Sequence, residues 1–264
     1  MALAARFRQA DDPTGGGRMP PLTPMGTLRW HVVEPLVDHV APRTVLEIGC
    51  GQGAVATRLS RRAQVTAVEL DESSHAVSAA RLGDAAEVVH GAVDTLAPGR
   101  QWDLVCAFEV LEHIEDDDAA LDAWFAMVRP GGHLLLSVPV HQRRFGPADE
   151  LVGHYRRYDR GQLGEKLHTA GFVDVSERLY GWPLGYALEQ VRNAVSARRL
   201  ARGGSTGESL TKEDRTMTSG RFLQPSAVIG TAMPVVVRPF AWLQMLFPSR
   251  GTGAVVLARR RQAS

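Results

Sequence analysis

The chain has 264 residues, 44% hydrophobic and 22% charged, a globular balance sufficient for one large domain or one domain with a sizeable appendage. Its formal net charge of +1 excludes a whole-molecule attraction to nucleic acid or acidic membranes. The two cysteines, Cys50 and Cys106, lie in apolar segments, neither their number nor their spacing points to a disulfide framework or a zinc site, and they fit a reducing cytoplasm.

Residues 1–25 are rich in Gly, Pro and polar side chains, lack the apolar core of a signal peptide, and read as a flexible tail. Apolar positions at helical spacing, from Leu28 through Val32, Val33, Leu36 and Val37 to Val40, predict a lead-in helix over Gly26–Val40. A regular alternation follows: strand Thr44–Ile48, helix Ala54–Arg62, strand Gln64–Leu70, helix Ser73–Leu82 and strand Ala86–His90. It continues with strand Asp103–Phe108, helix Ala119–Val128, a Pro130-Gly131-Gly132 turn and the almost wholly apolar strand His133–Val138. Strands this apolar, alternating with helices, predict a doubly wound α/β fold whose parallel sheet is covered on both faces.

The remainder is less regular. Gly161–Ala170 predicts a helix stopped by Gly171, Phe172–Leu179 a sixth strand, and Gly253–Arg259 a last one. Between the last two strands lie a predicted helix over Leu184–Leu200, a polar stretch over Ala201–Gly220 expected to be mobile, and an apolar stretch over Ala227–Phe247. The apolar stretch approaches the length of a membrane span, but Pro234, Arg238 and Pro239 interrupt it. An arginine at the bilayer centre costs about 2.5–3.5 kcal/mol on the mildest scale. No transmembrane span is expected there. Two short buried helices that wall a pocket are, with a membrane-surface or subunit contact as the competing use of the same residues.

The first strand runs into Glu47-Ile48-Gly49-Cys50-Gly51-Gln52-Gly53. Glycines let the backbone turn sharply and approach a ligand, and the following helix presents free N–H groups to it. Gly49, Gly51 and Ala54 also satisfy the dinucleotide pattern, so the loop alone does not choose between ligands. Glu69, at the tip of the second strand, has the position of an acid that accepts ribose hydroxyls, and Asp71 that of a helix cap.

In order after the loop come Glu69, Trp102-Asp103-Leu104-Val105, Glu109-Val110-Leu111-Glu112-His113-Ile114 and Arg129-Pro130-Gly131-Gly132. This set resembles the class I S-adenosylmethionine-dependent methyltransferases, in particular the small-molecule branch with the ubiquinone-pathway O-methyltransferases. The resemblance covers Leu28 to Leu179 and the final strand. It implies a Rossmann-like seven-stranded sheet of order 3-2-1-4-5-7-6, with a methyltransferase core over 26–179. A helical, partly mobile insertion over 180–252 would cover the acceptor site, and 253–264 would supply the last strand and a tail. It further implies S-adenosylmethionine as cofactor, S-adenosylhomocysteine as product, and no metal. The implied cofactor contacts are Glu47, Gly49, Cys50, Gly51, Gly53, Glu69, Leu70, Phe108 and Glu109. Where the family often has an aspartate after the glycine that follows strand three, this chain has Ala92 after Gly91. Adenine would then meet the backbone at Ala92 and Val93, or Asp94.

The segment after strand five, from Val140 through His141, Asp149 and His154 to Tyr158, is polar and aromatic and stands where the methyl acceptor is expected. A hydroxyl acceptor needs a base, for which His141 and His154 are the candidates; His113, inside a shared motif, serves structure equally well. The leading reading is methyl transfer to a small, apolar or aromatic metabolite by a monomer or homodimer that binds no nucleic acid. A methyltransferase acting on RNA or protein is disfavoured, because strand four ends in Phe108-Glu109-Val110 without the Asn/Asp-Pro-Pro-aromatic signature. The intact glycine loop and Glu69 disfavour a non-catalytic scaffold.

Overall fold

The computed structural model describes residues 19–203 and 227–262. Seven strands form one sheet: Thr44–Ile48 (β1), Gln64–Glu69 (β2), Ala86–His90 (β3), Trp102–Phe108 (β4), Val128–Pro139 (β5), Phe172–Gly181 (β6) and Gly251–Arg260 (β7). Their order is β3-β2-β1-β4-β5-β7-β6, as the family resemblance implied. Pairings from β3 through β5 are parallel, and β7 returns antiparallel between β5 and β6. The helices, in chain order, are Pro24–Val40 (α1), Ala56–Leu59 (α2), Glu72–Leu82 (α3), Asp117–Met127 (α4), Pro147–Val152 (α5), Gln162–Thr169 (α6), Leu184–Gly203 (α7) and Ala227–Met245 (α8).

Alternate residues of each central strand enter two separate cores. Leu104 and Cys106 of β4 join Val45 and Val65 on the face covered by α1, α2 and α8, while Val105 and Ala107 join Leu46 and Val68 on the face covered by α4 and α6. Because both faces are buried, the central strands carry no polar alternation, and this is why they read as continuous apolar runs.

Several elements depart from the sequence reading. The helix expected over Ala54–Arg62 is the single turn α2. The guanidinium groups of Arg58 and Arg62 donate to the carbonyls of Ala54 and Arg58 (2.6 and 3.1 Å), acceptors that the amides of a longer helix would use. Arg62 is meanwhile drawn to Glu34 and Asp38 on α1. The expected tail is anchored from residue 19 onward: Leu22 is buried, and Thr23 caps α1 by accepting the Gly26 amide at 3.0 Å. The polar segment after strand five contains a short helix, α5, for which the sequence offered no helical stripe.

The two short helices expected over Ala227–Phe247 are one helix, α8, that contains both Pro234 and Pro239. A proline removes its own N–H from the ladder and its ring crowds the carbonyl four residues back, a cost that tertiary contacts offset here. Val237 and Ala241 are buried in the core that α1 shares, and the Gln244 amide donates to the Leu28 carbonyl at 2.8 Å. Burial is one-sided, however, since Trp242 and Leu246 stay 59% and 73% exposed. Among the described residues no helix is long and apolar enough to cross a membrane. Most of the stretch expected to be mobile, Ala201–Gly220, lies outside the described residues.

β6 ends, and β7 begins, at the edge where the parallel strands have their carboxyl ends, so the insertion leaves and re-enters the sheet on that edge. Tyr180 and Gly253 face each other there, and a Cβ on Gly253 would lie 2.5 Å from the Tyr180 ring. Gly253→Ala is therefore expected to destabilise the fold by about 1–3 kcal/mol through overpacking, read as a lower urea midpoint. An unchanged midpoint would mean that the ring moves aside without cost.

Candidate active site

The strand order reverses between β1 and β4, and their carboxyl ends diverge into the crevice where ligands of such sheets bind. Gly49 and Gly51 have φ of +70° and +54°, the left-handed region that glycine enters at low cost. A Cβ on Gly49 would also press within 2.7 Å of Val110 Cγ2, whereas the space over Gly51 is open to 4 Å. The Gly49 and Cys50 amides donate to the Val68 carbonyl, tying the turn to the end of β2.

Glu69 stands at that end. Its Oε2 accepts the Gly51 amide at 2.7 Å and its Oε1 the Asp71 amide at 2.9 Å, so the carboxylate is held over the turn with a further lone pair on each oxygen. Asp71 caps α3 by accepting the Ser74 amide at 2.8 Å, as its position predicted. Leu70 is 55% exposed beside Glu69, an apolar surface for an aromatic base. Ala92 and Val93 are half-buried in the turn after β3, and Asp94 is exposed. The Gly91 amide donates to the Glu69 carbonyl, which brings this turn to the same rim. These residues fit a nucleoside: an acid for ribose, an apolar ledge for the base, and open backbone between them.

Glu109 follows β4 with φ +59°, an uncommon conformation for a residue with a side chain. Its Oε1 accepts the hydroxyls of Ser137 (2.9 Å) and Tyr180 (3.0 Å) and lies 3.6 Å from the Arg29 guanidinium, which also stacks over the Phe108 ring. Arg29, Ser137 and Tyr180 carry no local motif, and only the packing of α1, β5 and β6 on the crevice brings them together. Glu47 is buried in β1, and one of its oxygens has no partner. Burial pushes its carboxyl up to about 8, with Arg29 pulling the other way. Burial likewise pushes the Cys50 thiol up, which makes it a packing group rather than a nucleophile.

In the segment after β5, where the sequence led an acceptor to be expected, His154 is buried, with Nδ1 2.8 Å from Asp149 Oδ1. The Arg157 guanidinium clamps Asp149 through Nε and Nη2 and donates through Nη1 to Glu189 of α7 at 3.1 Å. Burial alone would raise the Asp149 carboxyl, but the hydrogen bonds from His154 and Arg157 hold it well below the usual range. The His154 ring meets the edge of His113 at 4.5 Å, and burial lowers His113 to about 3. Both oxygens of the buried Glu112 lack hydrogen bonds, and burial, reinforced by Glu109, pushes that carboxyl well up. Glu112, His113 and His154 place ligand-type atoms within 4.8 Å of one another, a donor set able to hold a divalent cation. The sequence reading expected no metal and did not gather these three, because the loop that returns His154 to the end of β4 has no local signature. His141 sits apart from this group: half-buried, with φ +68°, its Nε2 is 3.1 Å from the Gly251 carbonyl.

Fold and site together define a Rossmann-like methyltransferase. A family model described as a methyltransferase domain matches residues 28–177, and the chain belongs to the class I S-adenosylmethionine-dependent methyltransferases. It is 32% identical over 145 residues to a ubiquinone biosynthesis O-methyltransferase of Idiomarina loihiensis, a match over 52% of this chain and 56% of that one. A second enzyme of that name, from Xanthomonas euvesicatoria, is 34% identical over 204 residues, 68% of this chain and 81% of that one. The chain thus spans little more than half the length of some of the curated relatives it matches. In fold it is similar to the crystallised phosphoethanolamine N-methyltransferase 2 of Haemonchus contortus in complex with S-adenosyl-L-methionine (TM-score 0.55, 17% identity, 88% of this chain and 53% of that one).

Two outcomes test the cofactor side. Glu69→Ala should weaken S-adenosylhomocysteine binding by about tenfold or more in calorimetry, since hydrogen bonds to charged groups contribute about 1.5–3 kcal/mol each. Unchanged affinity would remove Glu69 from the site. Glu47, with a folded pKa of about 8 raised from 4.5, contributes stability that is full below pH 4.5 and lost as pH rises through about 8. Glu47→Gln does not titrate, so its melting temperature should gain on the wild type by several degrees between pH 5 and pH 8.5. A gap that does not change with pH would mean that Glu47 is ionised throughout.

Proposed function

We propose that the chain transfers a methyl group from S-adenosylmethionine to a hydroxyl oxygen of a small apolar or aromatic molecule, with His154 as general base. The observation that carries this reading is the Asp149–His154 pair. An ionised carboxylate only accepts, so the 2.8 Å contact puts a proton on Nδ1, and in the neutral ring Nε2 then carries the lone pair a base needs. Asp149 also stabilises the imidazolium that forms when Nε2 takes the acceptor's proton. The relatives named as O-methyltransferases support oxygen as the acceptor atom.

The bound cofactor supplies an electrophilic methyl on a positively charged sulfur. The chain's own part is to hold and align. Glu69 and the glycine turn fix the nucleoside, with Leu70, Ala92, Val93 and Asp94 around the base. Glu47, Cys50, Gly53, Phe108 and Glu109 shape the methionine side, where Ser137, Tyr180 and Arg29 hold Glu109 still. Alignment of this kind contributes about 7–11 kcal/mol to a displacement, and removal of a hydroxyl proton about 10²–10⁴-fold. His141 is the other imidazole on this edge. A carbonyl also only accepts, so its Nε2 is protonated and its Nδ1 is open.

Cofactor-dependent mass gain across a panel of hydroxylated aromatic compounds, read by mass spectrometry, tests the reaction. His154→Gln should lower kcat by about 10² or more with S-adenosylhomocysteine affinity nearly intact, and His141→Gln should do less. Full activity in both variants would assign the proton to another base, or the methyl to an acceptor that needs none.

A further inference from the structure

Helix α8 has two faces. Val237, Ala241 and Gln244 lie on one stripe and are buried, and the Gln244 side chain joins the Leu28 carbonyl to the Gly181 amide. The opposite face carries Arg238, Trp242 and Met245, and the turn that follows adds Leu246, Phe247 and Arg250, all of them exposed. Trp242 is 59% and Leu246 73% exposed, and the Arg250 guanidinium rests over the Phe247 ring. Scattered exposed apolar side chains are ordinary on a protein surface, but four of them on one helix face and its adjoining turn form a patch. The charged residues of the patch itself, Arg238 and Arg250, have one sign. Across 182–201 and 236–250 the charged residues are five arginines and Glu189, and Glu189 is buried between Arg144 and Arg157. The molecule's net charge is only +1, so the cationic character is local to the insertion.

We infer that the outer face of α8 and the turn to Arg250 dock on an anionic phospholipid surface. The apolar side chains enter the boundary between headgroups and acyl chains, with Trp242 at the interfacial depth that indole favours, and Arg238 and Arg250 meet lipid phosphates. A second copy of this chain fits the patch less well. A two-fold interface sets the same surface against itself, and here that opposes arginine to arginine with no exposed acid in the described part of the insertion to relieve it. The inference concerns binding and does not depend on which acceptor is methylated.

The test uses the full chain and large unilamellar vesicles, either phosphatidylcholine alone or phosphatidylcholine with phosphatidylglycerol, with sedimentation as the readout. The wild type should co-sediment with the anionic vesicles and far less with the neutral ones. The double variants Trp242→Ser/Leu246→Ser and Arg238→Gln/Arg250→Gln should each lose about tenfold or more in partitioning. Both should retain the wild-type circular dichroism and S-adenosylhomocysteine affinity. A wild type that stays in the supernatant, or binds both vesicles equally, overturns the inference. So does a dimer in light scattering that the Trp242→Ser/Leu246→Ser variant converts to monomer without any vesicle binding by the wild type.

Discussion

The hydrogen bond from the Gly51 amide to the Glu69 carboxylate joins the two strand tips on which the proposed cofactor side is built. It exists because parallel pairing sets β1 beside β2 in register, Glu47 opposite Ala67 and Ile48 opposite Val68, and because glycine lets the chain reverse directly after Ile48. A buried N–H without a partner is costly, so the acid orders the loop as much as the loop positions the acid. The same rim receives the turn after β3 through Gly91 and, across the reversal of strand order, Glu109 after β4. One constraint of chain direction thus delivers residues from four strands to one edge.

The proposed acceptor side is held by different physics. Asp149, Arg157 and Glu189 are withdrawn from water, and an ion taken from water costs several kcal/mol unless partners replace the solvent. Here they do: Arg157 gives three donors to Asp149 and Glu189, and Asp149 also receives the Gly146 amide. Such networks stabilise little on balance, but they leave few alternative arrangements. The outcome is a His154 ring fixed beside His113 and Glu112. Glu112 and Glu47 show the opposite case, buried carboxyls with oxygens left unpaired and held toward the neutral form.

The insertion divides in the same way between packing and exposure. α7 is tied to the Asp149–Arg157 network through Glu189, and α8 to α1 through Gln244. One face of each helix is thereby committed to the domain. The outer face of α8 keeps large apolar side chains in contact with solvent, which a helix buried all round would not do.

Much of this was legible in the sequence, for a definite reason. The central strands are buried on both faces, so β1, β2, β4 and β5 appear as apolar runs that need no knowledge of their neighbours. Gly49, Gly51 and Glu69 were equally readable, because each answers a local demand: a left-handed backbone, an open approach, an acid at a strand tip. Other features depended on partners distant in the chain. α2 is a single turn whose neighbouring carbonyls meet the side chains of Arg58 and Arg62, the latter also paired with α1, and α8 runs through two prolines while packed against α1. Arg29 and Tyr180 reach Glu109 across 80 and 71 positions of sequence, and Asp149, His154, Arg157 and Glu189 form one network only when α5 and α7 pack together. Local pattern determines which residues seek burial and where the backbone turns. Which side chain meets which charge is decided by the three-dimensional packing, since an ion pair leaves no periodic trace in the chain that makes it.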